Sequence, residues 1–374
     1  QGEVEWGLQY RIPMIDLSEI GNGGGSIAWI DKGGLMKVGP TSAGAEPGPV
    51  CYGAGGTEPT FTDANIVLGR LNPNYILGGA MKLDKIGAEN AIQNKIAKPL
   101  GLDLAEAAMG IIEISNANML GSMRIASVER GYDPREFDTV AYGGAGPMVA
   151  STLAKELGCR RVIIPAHPGI FSAIGMLAAD LRLDFIQTYI SRLNDIKLDK
   201  INATYQKLEE HARAELSREF PGSSTLMRAA DVRYLGQNYE VTVAVPNGTI
   251  AQEDLATIAN NFNQEHRRLY GHFKADEPME IVTLRTTIVG AMSRPRLKKI
   301  PTAKNAEAAL KSERQVYFAE KHGFVNCEVY DRALLGADCS IEGPCIVEEM
   351  DSTVLVNPDQ EASIDSYGNV IIET

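Results

Sequence analysis

The chain has 374 residues, 44% of them apolar and 6% aromatic, which is more than one hydrophobic core usually organises, so two or three domains are expected. Its 48 acidic against 36 basic side chains leave a net charge of −12, which argues against a general nucleic-acid binder and against docking on an anionic membrane surface. No apolar run reaches transmembrane length, and five scattered cysteines with no C-x-x-C pair point away from zinc and disulfides, towards a reducing cytoplasm.

The opening QGEVEWGLQYRIP lacks the basic and apolar regions of a signal peptide, and without a starting methionine it reads as the beginning of a processed or truncated piece. Then comes GNGGGS, residues 21–26, in which Gly23, Gly24, Gly25 and Ser26 form either a bare turn or a cradle of backbone N–H groups for an anionic ligand. SIAWID and LMKVGP read as short strands around the Lys32-Gly33-Gly34 turn. The Gly- and Pro-rich run that follows is stiff and irregular, and a loop of that length inside a compact domain is usually functional or disordered. It ends at Asp63, which reads either as the N-cap of a short helix over TDANIVLGRL or as a catalytic base or holder of a Mg²⁺-bound water.

KIGAENAIQNKIAKPL predicts a second helix, stopped at Pro99. Asp103 and Glu106 form a D-x-x-E capping box opening one long helix of about seven turns, as far as Tyr132. FDTVAYGGAGPMVASTLAKELG reads as strand, glycine turn and helix, CRRVIIP as a buried strand, and GIFSAIGMLAADLRLDF as helix into strand, an alternation that predicts a mostly parallel α/β layer. From about residue 186 come a charged amphipathic helix, LDKINATYQKLEEHARAELSREF, and the strand signals DVRYLGQNYEVTVAVPNG and EIVTLRTTIVGAM; after residue 300 the tail is β-rich. The expected domains are therefore 1–185, 186–300 and 301–374.

AYGGAGP, residues 141–147, is the strongest stretch for chemistry. With a strand before it and a helix after it, Gly143, Gly144, Ala145 and Gly146 can let a nucleotide approach the main chain beside free helix N–H groups. From spacing alone, a tight strand-to-helix turn explains it equally well, since neither G-x-G-x-x-G nor a Walker A pattern is present. The five histidines show no metal spacing, so no metal site is assigned. MDSTV, residues 350–354, reads as a polar turn between strands in preference to an acidic site.

Taken in order, GNGGGSIAWIDKGGLMKVGPTSAGAEPGPVCYGAGGTEPTFTDANIVLGRLNP, VERGYDPREFDTVAYGGAGP, VIIPAHPGIFSAIGMLAAD, DVRYLGQNYEV and GPCIVEEMDSTVLVNP resemble the hydantoinase A/oxoprolinase family of ATP-dependent enzymes across nearly the whole chain. The resemblance implies an actin/hexokinase/Hsp70-like (ribonuclease H-like) α/β lobe, an α+β segment and a C-terminal β-rich domain, with nucleotide held between two lobes. It places Gly143, Gly144, Ala145 and Gly146 on the adenosine side and Gly23, Gly24, Gly25 and Ser26 in the cleft lining. It implies ATP and Mg as cofactors, a small-molecule substrate, and a B-type hydantoinase subunit as partner.

The family couples ATP cleavage to activation of an amide or carbonyl oxygen, which makes the expected activity ATP-dependent hydrolysis of a cyclic amide. A ketone carboxylase subunit and a non-catalytic scaffold subunit are the alternatives. Two departures stand out. The family's D-x-G-G-T and G-G-T-x-D phosphate elements are absent, so the chain reads as the C-terminal portion, with the N-terminal half as a further expected partner. Where many members read G-P-L-H-A, this chain has Gly146-Pro147-Met148-Val149-Ala150.

Overall fold

The computed structural model describes residues 17–374 together with the backbone of 2–3 and 9–10, so most of the opening segment read for a signal sequence lies outside the described residues. The chain divides into two compact units, one formed by 18–175 with 296–374 and the other by 176–295 with the first 17 residues.

In the larger unit, local chemistry sets most of the elements. Strands Ser26–Ile30 and Met36–Ser42 pair as a hairpin whose turn is closed by Asp31, its Oδ1 accepting from the N–H groups of Gly33 and Leu35. The helix Phe61–Val67 is capped by Thr60, and Asp63 is the third residue of the helix in a reciprocal capping box. Helix Lys85–Ile92 continues through a π turn, Gln93–Ala97, into Lys98–Leu100 and ends at left-handed Gly101. Pro99 therefore sits inside the last turn, and the wider π turn lies where the proline's missing N–H leaves the ladder one bond short.

The capping box of Asp103 and Glu106 opens the long helix Leu104–Ala126. It stops earlier than the sequence suggests, at Ser127, whose hydroxyl donates to the Met123 carbonyl and competes with the helical ladder. Ile111, Ile112 and Leu120 from this helix share a core with Phe61, Ile66, Ile92 and Ile96.

Strand Thr139–Val140, helix Gly146–Leu157 and strand Arg161–Ile164 form one strand–helix–strand crossover, and its two strands pair in parallel. The sheet does not go on in that manner. Arg161–Ile164 next pairs antiparallel with Val370–Glu373, followed by Glu361–Ile364 and Ser340–Glu342. The expected mostly parallel layer is thus a mixed sheet with one parallel pair, because the remaining three strands are C-terminal and pair antiparallel, which needs no crossover helix. Val162, Ile164, Val370 and Ile372 are buried in one core with Ala150, Ala154, Val347 and Val354, each large side chain contributing about 1.5–3 kcal/mol as an upper bound. A second sheet runs Leu310–Phe318, Gly323–Asp331, Cys345–Glu348, Thr353–Val356.

The smaller unit is one antiparallel four-stranded sheet, in the order Leu181–Arg192, Met279–Gly290, Ser224–Tyr234, Val241–Val245. Helices Leu198–Glu219 and Gln252–Tyr270 belong to it, with Tyr205, Ile258 and Phe262 clustering with Val232, Val243 and Leu284. The second of these helices has no counterpart in the sequence reading. Its apolar residues Leu255, Ile258 and Phe262 do recur at helical spacing, but within a mostly polar stretch.

All five cysteines are free and buried. Burial pushes the thiols of Cys51 and Cys345 well above the ordinary range and that of Cys327 to about 12. Among the described residues, no helix is long and apolar enough to cross a membrane.

Candidate active-site cavity

A cavity of about 490 Å³ opens in the larger unit, and both glycine turns reach it through Gly24, Gly144 and Ala145. The two turns differ in character. The Gly24 carbonyl accepts from both the N–H and the hydroxyl of Thr62, at 3.0 and 2.8 Å. A Cβ at Gly24 would lie 2.9 Å from that hydroxyl, and one at Gly25 would lie 2.7 Å from the Ser42 hydroxyl, so Gly24 allows close packing on the Phe61–Val67 helix and Gly25 on the hairpin's own second strand. Ser26 is buried, accepting from the Gly23 N–H at 2.8 Å. Gly23, Gly25 and Ser26 hold the turn together, and Gly24 is the member of the set that faces the cavity.

The second turn is open. Gly143 is left-handed, at φ +82°, and its N–H donates to the Pro168 carbonyl at 2.8 Å. A Cβ at Gly143 or Gly146 would meet nothing within 4 Å, and one at Gly144 would make only an ordinary contact, 3.6 Å from the Asp351 carbonyl. The helix Gly146–Leu157 has no side-chain cap; Pro147 brings no N–H, and the Met148 N–H donates to the Ala145 carbonyl at 3.2 Å. Val149 is 2% exposed and packs in the hydrophobic core, while Met148 lines the cavity.

The loop between strands Cys345–Glu348 and Thr353–Val356 also lines the cavity, closed by the Glu349 N–H donating to the Ser352 carbonyl. Glu348 is anchored by Lys311 at 3.0 Å and Arg314 at 2.7 Å. Burial works to raise its carboxyl, yet those bonds and charges prevail and hold it below the usual range. Glu349 behaves in the opposite way. Burial lifts its carboxyl above the ordinary range against the pull of Arg332, and the neighbouring Asp351 adds to the rise.

Arg332 holds Glu349 at 3.1 Å and is itself fixed by donating to the carbonyls of Ile164, Pro165 and Gly368. The Asp351 carboxylate lies against Gly169, where a Cβ would come within 2.2 Å of it. Ser352 is 6% exposed and its Oγ has no hydrogen-bond partner. It is an orphaned, buried hydroxyl in a residue of the cavity wall. Leu71, Tyr75, Ile76 and Met81 complete an apolar side.

Asp63, the sequence's candidate base, does not line this cavity. Its carboxylate is fully buried and accepts from the N–H groups of Val50, Cys51 and Thr60 and from the Thr60 hydroxyl, at 2.8–3.2 Å. It clasps the Gly/Pro-rich loop to the start of the helix and has no free lone pair directed at a ligand. The wall that sequence reasoning undervalued is Glu349–Ser352, where an acidic and hydroxyl cluster between two apolar four-residue strands was the available signal.

The family model for hydantoinase/oxoprolinase matches residues 2–185, and that for the hydantoinase/oxoprolinase C-terminal domain matches residues 191–371. The chain belongs to the hydantoinase/oxoprolinase family. It is 38% identical over 366 residues to the caprolactamase subunit alpha of Pseudomonas jessenii, covering 96% of this chain and 53% of that protein. It is 34% identical over 380 residues to the acetophenone carboxylase gamma subunit of Aromatoleum aromaticum, covering 97% and 51%. The crystal structure of the ATP-dependent caprolactamase from Pseudomonas jessenii superposes with a TM-score of 0.85 at 36% identity, covering 94% of this chain and 52% of that one. The mixed α/β architecture with several sheets is consistent with the actin-like class expected from the sequence. The chain spans about half the length of the relatives it matches.

For the ATP implied by such relatives, the cavity residues fit one end of the molecule. The open main chain at Gly144 and Ala145 suits a nucleoside. Among the described residues no lysine or arginine lines the cavity, and the cations next to its wall, Lys311, Arg314 and Arg332, are paired with Glu348 and Glu349. Nor do the described residues bring together three His, Cys, Asp or Glu side chains that could hold Mg²⁺.

Proposed function

We propose that the chain is the nucleoside-binding part of an ATP-dependent enzyme that opens cyclic amides, and that a complementary segment or subunit supplies the phosphate contacts. The observation that carries this reading is the convergence of Gly24, Gly144 and Ala145 on one cavity that no basic side chain among the described residues lines. The caprolactamase relative, named as a subunit and as ATP-dependent, supports both the reaction class and the need for a partner; a B-type hydantoinase subunit is the partner proposed.

An unstrained cyclic amide is a poor electrophile, and ATP supplies the phosphoryl group that activates its oxygen. This chain's part is positioning. Gly144 and Ala145 offer flat main chain to the base, and the apolar side formed by Leu71, Ile76 and Met81 excludes water. Glu349, fixed by Arg332, keeps a proton on its carboxyl to higher pH than an ordinary glutamate does.

The acetophenone carboxylase relative favours a second reading, carboxylation of a ketone. Assembled enzyme supplied with a lactam, ATP and no bicarbonate decides between them. Ring opening coupled to ATP consumption is expected, whereas ATP turnover that requires bicarbonate and a ketone would replace the first reading by the second.

A further inference from the structure

Strand Thr139–Val140 is the edge of its sheet. It pairs with Arg161–Ile164, and no described strand lies on its other side. The parallel ladder runs on through the Ala141 N–H, which donates to the Ile163 carbonyl at 3.0 Å. Successive residues of a strand point their backbone groups to opposite sides, so the N–H and C=O of Val140 face outwards, a template for a further strand.

The side chains around this edge are apolar. Six large apolar residues between Ile125 and Tyr142 are 41–52% exposed. Val140 and Tyr142, two residues apart, stand on one face, while Ala141 between them is buried. Just before the strand, the Phe137 ring meets Tyr132 edge-on at 5.7 Å; just after it, the Tyr142 ring lies 5.4 Å from Phe171. Phe171 opens the helix Phe171–Ala178, whose sequence FSAIGMLA carries no charge and which buries none of its residues. Asp138, next to the strand, is already paired with Arg161 at 2.8 Å. What this edge offers a partner is open backbone and apolar surface, which mark an interaction site.

Two observations say what covers it. The relatives that match nearly all of this chain are about twice as long, so almost half of their length lies outside the match. The strand also leads through Tyr142 directly into the Gly143–Gly146 turn, whose Gly144 and Ala145 line the cavity. A strand laid along Val140 therefore runs beside the residues that lead to the cavity. Resting on the reading that a complement supplies the phosphate contacts, we propose that it docks on this edge. The part of the full-length relatives that this chain does not match adds a strand at Val140 and lays apolar side chains on Phe137, Val140, Tyr142 and Phe171.

Two polypeptides test it: the 374-residue chain, and that chain joined, in the relative's own order, to the unmatched part of the Pseudomonas jessenii caprolactamase subunit alpha. In the chain alone the Val140 amide is expected to exchange its hydrogen freely while the Ala141 amide is protected. In the joined polypeptide Val140 should be protected as well, its exchange slowed by about 100-fold or more. Val140→Lys and Phe137→Lys should leave the melting temperature of the chain alone unchanged, as substitutions at exposed positions do, and lower that of the joined polypeptide by about 3 °C or more. A joined polypeptide in which Val140 still exchanges freely, or in which both variants melt as the parent does, would overturn the proposal. So would sedimentation of the chain alone as a dimer with Val140 protected, which would make a second copy the occupant. None of these measurements includes nucleotide, so they can fail while the nucleoside reading stands, and an ATP titration can fail while they succeed.

Discussion

Replacing Gly144 by valine is expected to leave the fold intact and to weaken nucleotide binding by the assembled enzyme about 100-fold, or ~2.8 kcal/mol. Gly144 lines the cavity, and a Cβ there makes no contact tighter than 3.6 Å. The added branches therefore project into ligand space without displacing protein atoms. Its neighbour is a poorer probe. Gly143 has the positive φ, +82°, and a β-branched residue there would strain the backbone whatever the ligand does. A Gly144→Val enzyme with unchanged melting temperature and unchanged ATP affinity would remove the AYGGAGP turn from the nucleotide site.

Asp63→Asn should destabilise the chain by about 3–5 kcal/mol, because a buried acceptor of four hydrogen bonds is replaced by an amide that must direct two N–H groups at existing donors. Denaturant unfolding measures the loss. The same variant separates the two roles the sequence left open for this residue. A stably folded Asp63→Asn chain whose assembled enzyme no longer turns over would return Asp63 to catalysis. Loss of stability ahead of any specific loss of turnover fits the clasp.

The contrast between Asp63 and the AYGGAGP turn shows what could be read without coordinates. Capping boxes are local, so Asp103 with Glu106 could be read three residues apart, and the Asp31 turn likewise. The partners of Asp63 include Val50 and Cys51, 13 and 12 residues away across an irregular loop, and no periodicity announces them. Non-local pairing was hidden for the same reason. Arg161–Ile164 is an apolar strand whatever lies beside it, and its register with Val370–Glu373 is settled by the shared core. At the cavity, glycine content marked both turns because close approach and open main chain each require it. Arg332 carried no signal at all, since its role depends on three carbonyls from distant segments.

The most direct measurement is a calorimetric titration of the 374-residue chain with Mg-ATP, alone and after addition of the complementary segment of a full-length homologue. The cavity offers ATP open main chain and, among the described residues, no basic side chain in its lining, and the chain carries a net charge of −12, which repels a polyanion. The chain alone is expected to show no saturation below ~1 mM and negligible hydrolysis, with binding tightening to the micromolar range once the complement is present. Tight binding and steady hydrolysis by the chain alone would contradict this division of the site and place the phosphate contacts within these 374 residues, with Gly23–Ser26 as the first turn to test.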